Sequence, residues 1–221
     1  MSTTSAPTWI YHFTHRDNLA PILATGALVC DQICASQGLT VRSIAYQNIK
    51  IQRARILVEA GPGGPLSDYV PFYFGPRSPM LYTYANGNVT GVRADQDEIV
   101  YFVTSIDKIT DANLAFVFTD GHPIKEPRAF YDNLASLSEV DHELMKAIYW
   151  ADTDDDNDRK RRRQAEFLVH RQVPLPLIRY LGVRTEEMKA WAQKTIDSNG
   201  VRIGSIVRPG WYYKDQEGHS S

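Results

Sequence analysis

The sequence predicts an α+β fold with a mainly antiparallel central sheet flanked by helices. The elements run strand, helix, helix and then a proline-rich aromatic segment, before strands and helices mix irregularly in the second half. Regular βαβ winding would instead alternate strands with helices throughout. With 221 residues, 43% of them hydrophobic and 23% charged, the chain is long enough to bury one core. We therefore expect residues 1–221 to form a single domain.

The first part of the chain predicts one strand and two helices. Residues 9–14, WIYHFT, are aromatic or branched and favour a strand. Asp17 is placed to cap a helix that ends at Gly26. Residues 32–40 are polar and contain glycine, which predicts a loop. Residues 42–58 lack a helix breaker and predict a second helix with a basic, solvated face.

Proline determines what is expected in the middle of the chain. Residues 69–84, YVPFYFGPRSPMLYTY, combine aromatic rings with prolines. Each proline restricts the residue before it, so a stiff loop and strand are predicted there. Residues 97–104 and 114–119 are apolar on both faces and predict interior strands. Ser138 with Asp141 resembles a capping box that opens a helix.

Charge dominates the start of the last part. The acidic run at residues 151–158, ADTDDDND, predicts a solvated loop, and the five cations RKRRR follow at residues 159–163. Beyond them, the pattern predicts strands at 166–174 and 178–183, a helix starting at Thr185, and short extended pieces at 201–203 and in the terminal PGWYY.

Composition argues against several classes of protein. The net charge of −2 gives no global field towards nucleic acid, so such a role needs local clusters. The sequence shows no apolar run of membrane-spanning length and no export leader in MSTTSAPTW, so a cytoplasmic protein without membrane contact is expected. Cys30 and Cys34 match neither CxxC nor a zinc set, so free thiols and no metal are expected. Rossmann, phosphate-loop and hydrolase-elbow motifs are also missing.

Glu166 is the most informative single residue in the sequence. It is a lone carboxylate on a strand-like segment just after the cationic run. Acidic side chains are rarely fully buried without a partner, so Glu166 either faces solvent or has a chemical role. Arg77 lies in a proline-bounded loop that would expose it to anions. His12 is either a satisfied structural histidine or a ligand contact.

Four motifs together carry a family resemblance. They are YHFTHRDNLAPIL near the start, RSIAYQNIKIQRAR after it, DYVPFYFGPRSPMLY in the middle and RRRQAEFLVHRQVP late in the chain. In these motifs the sequence resembles the DarT family of DNA ADP-ribosyltransferase toxins, over residues 9–182 and again at the terminal WYY. The resemblance implies an ADP-ribosyltransferase-like fold, transfer of ADP-ribose from NAD to thymidine in single-stranded DNA, and a DarG-like macrodomain antitoxin that removes the modification.

The same resemblance implies roles for individual residues. Arg53 and Glu166 would be catalytic. The NAD contacts would be His12, Phe13, Thr14, Pro21, Val29, Arg53 and Tyr73, of which the Tyr73 ring is also available to stack on a base. The DNA contacts would be Arg77, Met80, Arg159 and Lys160, with the three cations on phosphates.

Reaction chemistry is consistent with these roles. Loss of nicotinamide leaves positive charge on the ribose, which a carboxylate such as Glu166 stabilises. Thymine must lose its N3 proton as the new bond forms. Because an arginine with a pKa above about 12 is a poor base, we expect Arg53 to act as a cation that stabilises the developing anion or the pyrophosphate. The N3 atom lies on the Watson–Crick edge, so the thymine must be unpaired.

Two other functions are open at this point. In the first, the fold and NAD are kept but the acceptor is RNA or a protein side chain. In the second, the chain is a nucleic-acid-binding module without catalysis, in which RKRRR binds phosphate and Glu166 pairs with a nearby arginine. Loss of labelling in a Glu166→Ala variant would separate a transferase from a binder.

Overall fold

A mainly antiparallel eight-stranded sheet organises the computed structural model, which describes residues 7–44, 47–87 and 95–213. The strands of the described residues are β1 Trp9–His15, β2 Ala27–Val29, β3 Tyr69–Tyr73, β4 Ile99–Ser105, β5 Phe116–Thr119, β6 Phe130–Tyr131, β7 Glu166–His170, β8 Gln172–Pro174, β9 Tyr180–Val183 and β10 Gly204–Val207. The α-helices are α1 Leu19–Thr25, α2 Asp31–Ser36, α3 Gln47–Arg55, α4 Pro79–Ala85, α5 Ile106–Asp111, α6 His142–Lys146, α7 Arg159–Arg162 and α8 Glu186–Ser198.

The strand order places the residues of interest at the centre of the sheet. It runs β10-β9-β4-β1-β3-β7-β5-β6, and in the described residues only β9 and β10 pair in parallel. Strands β2 and β8 form a separate two-stranded sheet. Tyr73 at the end of β3 lies opposite Glu166 at the start of β7, and also opposite Tyr11 of β1. The expected α+β fold with a mainly antiparallel sheet is confirmed.

Hydrophobic burial holds the sheet together. Every residue of β4 is buried, and in β7 only His170 is partly exposed. Phe72, Phe102 and Phe167 are fully buried in one cluster with residues of α1, α5 and α8. Strands buried on both faces lose nearly all contact with water, so the central sheet forms a rigid base for residues placed on its strand ends.

The N-terminal segment departs from the sequence prediction in two places. Strand β1 and the end of α1 at Gly26 are as expected, and Gly26 has the left-handed φ of 76° that glycine tolerates. Asp17 does not cap α1, because a 3-10 helix at Arg16–Asn18 comes first and the Asp17 carboxylate binds Arg42. The loop expected at residues 32–40 is wrong in its first half, where α2 forms.

The second helix is shorter than expected and the aromatic segment contains a helix that was not expected. Residues 42–44 are not helical, residues 45–46 lie outside the described residues, and α3 ends at Arg55. After β3, the segment 69–84 turns into α4 because Ser78 caps it: its Oγ accepts a hydrogen bond from the Leu81 N–H, and Pro79 occupies the first turn.

The C-terminal half confirms most elements and shifts others. Helix α8 begins after Thr185, whose side chain caps it, as the sequence predicts. The helix expected from Ser138 is reduced to α6, capped by Asp141, behind a 3-10 helix at Leu134–Glu139. The extended piece expected at residues 201–203 is wrong, because the strand is β10, which pairs with β9. In the terminal PGWYY, Pro209–Trp211 form a 3-10 helix.

No helix within residues 7–44, 47–87 and 95–213 is both long and apolar enough to cross a membrane.

Candidate active site

One cavity gathers most of the predicted site residues. Its volume is about 320 Å³, within the usual range for small-molecule sites. The predicted residues that line it are His12, Phe13, Thr14, Pro21, Val29, Arg53, Tyr73, Met80, Lys160 and Glu166. Arg77 and Arg159, the other two predicted DNA contacts, are not among the lining residues. Residues far apart in sequence therefore meet here because β1, β3 and β7 are neighbours in the sheet.

Glu166 is held rigidly at the start of β7. Its side chain is buried, with the residue 3% exposed, and its N–H donates to Thr119 Oγ1 over 3.1 Å. The Thr119 hydroxyl in turn donates to the Gly121 carbonyl. A carboxylate oxygen of Glu166 accepts a hydrogen bond of 2.9 Å from Arg53 Nη1. The alternative that Glu166 faces solvent is excluded.

Arg53 reaches Glu166 from α3. Ile51 and Ala54, its neighbours on the helix, are exposed, whereas Arg53 is only 8% exposed. The solvated face predicted for this helix is therefore wrong for Arg53. Burial lowers the pKa of the guanidinium, but the charge and hydrogen bond of Glu166 outweigh burial and leave the pKa above its usual value. Arg53 Nη2 is buried without a hydrogen-bond partner among the described residues.

Three aromatic or imidazole rings form part of the cavity wall. Nδ1 of His12 lies 2.8 Å from the Pro71 carbonyl oxygen, and burial lowers the pKa of His12. The ring is therefore neutral, with its proton on Nδ1 and its Nε2 free to accept a hydrogen bond. Phe13 stacks on Tyr73 with ring centres 5.7 Å apart. The Tyr73 hydroxyl lies 3.8 Å from Met80 Sδ.

Asn18 is a lining residue that the sequence analysis missed. Its buried side-chain amide donates to Thr14 Oγ1 over 2.8 Å and to the Arg42 carbonyl over 2.9 Å. Its Oδ1 accepts from the Arg42 N–H over 2.8 Å. Asn18 thus binds both polar backbone groups of Arg42 and joins this rim segment to the end of β1. A polar residue at the strand-to-helix junction was the only available signal.

His122 is the second lining residue that was missed. It lies in the β5–β6 connection, and its backbone N–H donates to the Arg161 carbonyl over 2.9 Å. Burial, together with the nearby Arg53 charge, lowers the pKa of His122 to about 4, so the imidazole is neutral. Its Nδ1 is buried without a hydrogen-bond partner among the described residues. The signal in the sequence was a histidine just after an interior strand, in TDGHP.

The acidic run and the cationic run neutralise each other in part, through two residues of each. Arg161 binds Asp158 and Asp120, and Arg162 binds Asp156 and Asp141. The expectation of a purely solvated acidic loop is therefore wrong for residues 156 and 158, whose side chains form ion pairs. The interpretation of RKRRR as one phosphate-binding patch also fails, since two of its arginines are committed to carboxylates.

Arg159 and Lys160 differ within this run. The Arg159 side chain donates to the carbonyls of Tyr149 and Ala151 over 2.9 and 3.1 Å. Lys160 is exposed and lines the cavity. Lys160 is therefore the better placed of the two for an anion at the cavity rim, and the phosphate contact of Arg159 stays a prediction.

Both cysteines, Cys30 and Cys34, line the cavity as free thiols. Burial raises the pKa of each thiol, so both are protonated at neutral pH. Among the described residues, no group of three or more His, Cys, Asp or Glu side chains is arranged to hold a metal ion.

The fold and this site define a class of protein. A buried glutamate at the start of a central antiparallel strand is hydrogen-bonded to a buried arginine, and both side chains line one ligand-sized cavity, which is an arrangement typical of an enzyme active site. The family model for the ssDNA thymidine ADP-ribosyltransferase DarT matches residues 11–213. The chain belongs to the DarT family, and the resemblance seen in the four motifs is confirmed.

Similar proteins support the same conclusion. The DNA ADP-ribosyl transferase of Thermus sp. strain 2.9 is 39% identical over 213 residues, which cover 96% of this chain and 99% of the relative. The Thermus sp. 2.9 DarT solved with ADP-ribosylated ssDNA superposes with a TM-score of 0.86 at 38% identity, covering 96% of this chain and all of that one. The same Thermus DarT solved with NAD+ gives a TM-score of 0.83 at 36% identity, with coverage of 96% and 100%.

One further relative combines two activities in a single chain. It is a DNA ADP-ribosyl transferase–DNA ADP-ribosyl glycohydrolase fusion protein of Thermosipho africanus, 27% identical over 88% of this chain and 47% of the fusion protein. The part of the fusion outside the match leaves room for the second activity in its name.

Proposed function

We propose that this protein transfers one ADP-ribose from NAD+ to the thymine base of single-stranded DNA. The observation that carries the proposal is the buried Arg53–Glu166 pair, which lines a ligand-sized cavity and has one guanidinium nitrogen without a partner among the described residues. Membership of the DarT family and the Thermus complexes with NAD+ and with ADP-ribosylated ssDNA support it.

The side chains present fit a dinucleotide. The cavity walls are largely apolar, and three polar groups on lining residues are available to bind a ligand: Nε2 of His12, the hydroxyl of Thr14 and Nη2 of Arg53, which has no partner among the described residues. NAD+ supplies a glycosidic bond whose cleavage places positive charge on the ribose. Thr14 and His12 lie on β1 and cannot shift without disturbing the sheet, so they orient the bound molecule.

Glu166 stabilises the positive charge that develops on the ribose. Its carboxylate is fixed by the backbone bond to Thr119 and by Arg53, so little reorganisation is needed when the charge forms. A buried carboxylate also acts in a medium of lower dielectric than water, which strengthens the attraction. The ribose hydroxyl donates to the same carboxylate and so holds the sugar against it.

Arg53 and His122 handle the thymine. Arg53 stays cationic and uses its free Nη2 to stabilise the negative charge that spreads over the ring as N3 loses its proton. The neutral His122 has an unpartnered Nδ1 in the same cavity, and accepts that proton directly or through one water molecule. This assignment removes the need for an arginine to act as a base.

The acceptor strand crosses the rim near α4 and α7. Lys160 and Arg77 bind phosphates there, Met80 contacts the base, and the Tyr73 ring is available for stacking. N3 is hidden in a base pair, so only an unpaired thymine can present it to Arg53 and His122. Because these phosphate contacts are ionic, raising the salt concentration weakens DNA binding.

The wider setting follows from the same reaction. Residues 1–221 form one ADP-ribosyltransferase domain, supported by the eight-stranded sheet, which includes both the first and the last strand of the described residues. DNA and NAD+ meet in the cytoplasm, which is where the protein acts as a toxin. A macrodomain antitoxin reverses the modification, as the glycohydrolase half of the Thermosipho fusion suggests.

The test compares acceptors directly. Labelled NAD+ is incubated with the protein and, in parallel, with a single-thymine DNA strand, the same strand carrying N3-methylthymine, an RNA of matched sequence, and a protein mixture. The proposal expects label only on the unmodified thymine strand. Label on RNA or protein would establish the alternative acceptor, and no label on any acceptor while DNA still binds would indicate a binding module.

A further inference from the structure

Arg163 is a buried cation that the proposed reaction does not use. It ends the RKRRR run and is only 1% exposed. Unlike Arg161 and Arg162, it forms no ion pair with a carboxylate in the part of the chain that the structure describes. Burial lowers the pKa of its guanidinium. An arginine buried without a counter-ion is costly, so its neighbours should show what it does.

The guanidinium of Arg163 binds the turn that carries Arg77. Its Nη2 donates to the carbonyls of Pro76 and Arg77, at 2.5 and 3.3 Å, and its Nη1 lies 3.7 Å from Met145 Sδ. Gly75 permits the close approach of Met145, which also contacts this guanidinium, because a Cβ at position 75 would lie only 2.5 Å from the Met145 carbonyl oxygen.

Tyr213 binds the same turn through its side-chain hydroxyl group. Its hydroxyl lies 2.5 Å from the Arg77 carbonyl oxygen and 3.2 Å from that of Ser78. Tyr213 is itself fixed by two hydrogen bonds that its backbone exchanges with the Gln96 side chain, at 2.9 and 2.8 Å. Trp150 Nε1 donates to the Tyr213 hydroxyl oxygen over 2.9 Å.

The backbone of the Pro76–Ser78 turn is strained. Two proposed DNA contacts, Arg77 and Met80, lie in this turn or just after it. Arg77 has a φ of 56°, in the left-handed region that non-glycine residues seldom adopt unless the surroundings enforce it. Ser78 then caps α4, whose second residue, Met80, lines the cavity. The hydrogen bonds that Arg163 and Tyr213 donate to the Arg77 carbonyl therefore determine the directions of the Arg77 and Met80 side chains.

We propose that Arg163 and Tyr213 are positioning residues for the acceptor strand, because together they hold the Pro76–Ser78 turn so that Arg77 meets a phosphate of the single-stranded DNA. The inference rests on the proposed function. The proposal also assigns a role to the end of the cationic run. Arg163 does not touch DNA itself, but it supports the turn that carries the proposed phosphate contact Arg77.

The test measures steady-state kinetics with a single-thymine oligonucleotide for Tyr213→Phe, Arg77→Gln and the double variant. Loss of one hydroxyl is expected to raise KM for the oligonucleotide roughly two- to tenfold. KM for NAD+ should stay within about twofold. In the Arg77→Gln background, Tyr213→Phe should have little further effect on KM, since the residue it positions is already gone. The slope of log KM against log salt should fall by about 0.7 in both single variants.

Tyr69→Phe is the matched control, because its hydroxyl also donates to a backbone carbonyl, that of Gly63, over 2.7 Å, away from the turn. Arg163→Lys provides a second variant, expected to raise KM for DNA more than KM for NAD+ if it folds. Equal effects of Tyr213→Phe and Tyr69→Phe, or additive effects of Tyr213→Phe and Arg77→Gln, would overturn the inference. If the wild-type protein labels no DNA, the proposed function fails instead.

Discussion

Two arginine–carboxylate contacts in this molecule use the same chemistry in different surroundings. Arg161 forms hydrogen bonds through all three guanidinium nitrogens, to Asp158 and Asp120, over 2.8 Å each. Arg53 has one hydrogen bond among the described residues, from Nη1 to Glu166, and its Nη2 is buried and unpartnered.

The number of satisfied guanidinium donors distinguishes an arginine that stabilises the fold, Arg161, from one that is available to a ligand, Arg53. A guanidinium whose donors are all satisfied contributes to the stability of the folded chain and has nothing left to offer a ligand. A buried donor left unsatisfied by the protein costs free energy, which is regained when a ligand or a water molecule supplies the acceptor. His122 follows the same rule in the same cavity, since its Nδ1 is also buried without a partner among the described residues.

The largest expected effect comes from Glu166→Gln. The amide keeps the shape and can still accept a hydrogen bond from Arg53, but it cannot balance a developing positive charge. We expect the rate of ADP-ribose transfer to fall by about a thousandfold, measured in single-turnover reactions with labelled NAD+. Glu143→Gln is the control, because Glu143 pairs with Lys146 on the surface. Equal rates for the two variants would mean that Glu166 is structural.

The next largest effect is expected from Arg53→Lys. Lysine keeps the charge but loses the planar fork, so it cannot bind Glu166 and the substrate at the same time. The transfer rate should fall by about a hundredfold, with folding checked by circular dichroism. Arg128→Lys, at an arginine paired with Glu126, serves as control. Full activity of Arg53→Lys would contradict the argument from geometry.

A pH profile tests the assignment of His122. Its pKa is lowered to about 4 and its neutral form accepts the proton, so acid removes activity and alkali does not. The value of kcat/KM should show no histidine step between about pH 5.5 and 8, and should fall only as the pH approaches 4. His122→Asn should lower the rate across this whole range. A step near pH 6.5 that disappears in this variant would show that the imidazole titrates normally.

Mutation of the Arg161 ion pairs should change the free energy of unfolding and leave the rate of ADP-ribose transfer nearly unchanged. Asp158→Asn removes the charge that Arg161 binds through two nitrogens, and we expect it to lower the free energy of unfolding by about 1 kcal/mol. Denaturant titration measures this loss, and the transfer rate of the folded variant should stay within about twofold of the wild type. A large loss of rate with unchanged stability would reverse the comparison between the two regions.

A modest effect, confined to the binding of NAD+, is expected from Asn18→Asp. The carboxylate can still accept from the Arg42 N–H, but the two hydrogen bonds that the amide donates are lost. KM for NAD+ should rise roughly two- to tenfold while kcat changes little. Asn86→Asp loses a similar amide bond, to the Tyr82 carbonyl on the surface, and is the control. An equal change in both variants would show that Asn18 has no special link to the pocket.

Local patterns in the sequence predicted the elements that depend on local chemistry. Strand β1, the interior strand β4 and helix α8 were found because apolar residues or a capping threonine mark them. Helix α4 was missed because the prolines suggested a loop, although Ser78 followed by Pro79 is itself a helix start. Helix α2 was missed because its polar residues resemble a loop.

The site depended on information that spacing alone does not contain. Glu166 was found as a charged residue on an apolar strand, but its partner Arg53 lies 113 positions away in sequence. That pairing came from the family resemblance, since α3 looked like a solvated helix. The positions of His122 after an interior strand and of Asn18 at a strand-to-helix junction are weak signals, because the importance of both residues lies in the hydrogen bonds that they make or lack after the sheet has formed.

The most direct test of the central claim reads the mass of a single-thymine oligonucleotide after incubation with NAD+ and either the wild-type protein, Glu166→Gln or Asp158→Asn. We expect the wild type and Asp158→Asn to add one ADP-ribose to the oligonucleotide. With Glu166→Gln, the mass of the oligonucleotide should stay unchanged over the same time. Modification by Glu166→Gln at the wild-type rate, or its loss in Asp158→Asn alone, would contradict the claim that the buried, incompletely satisfied pair is the one that performs the chemistry.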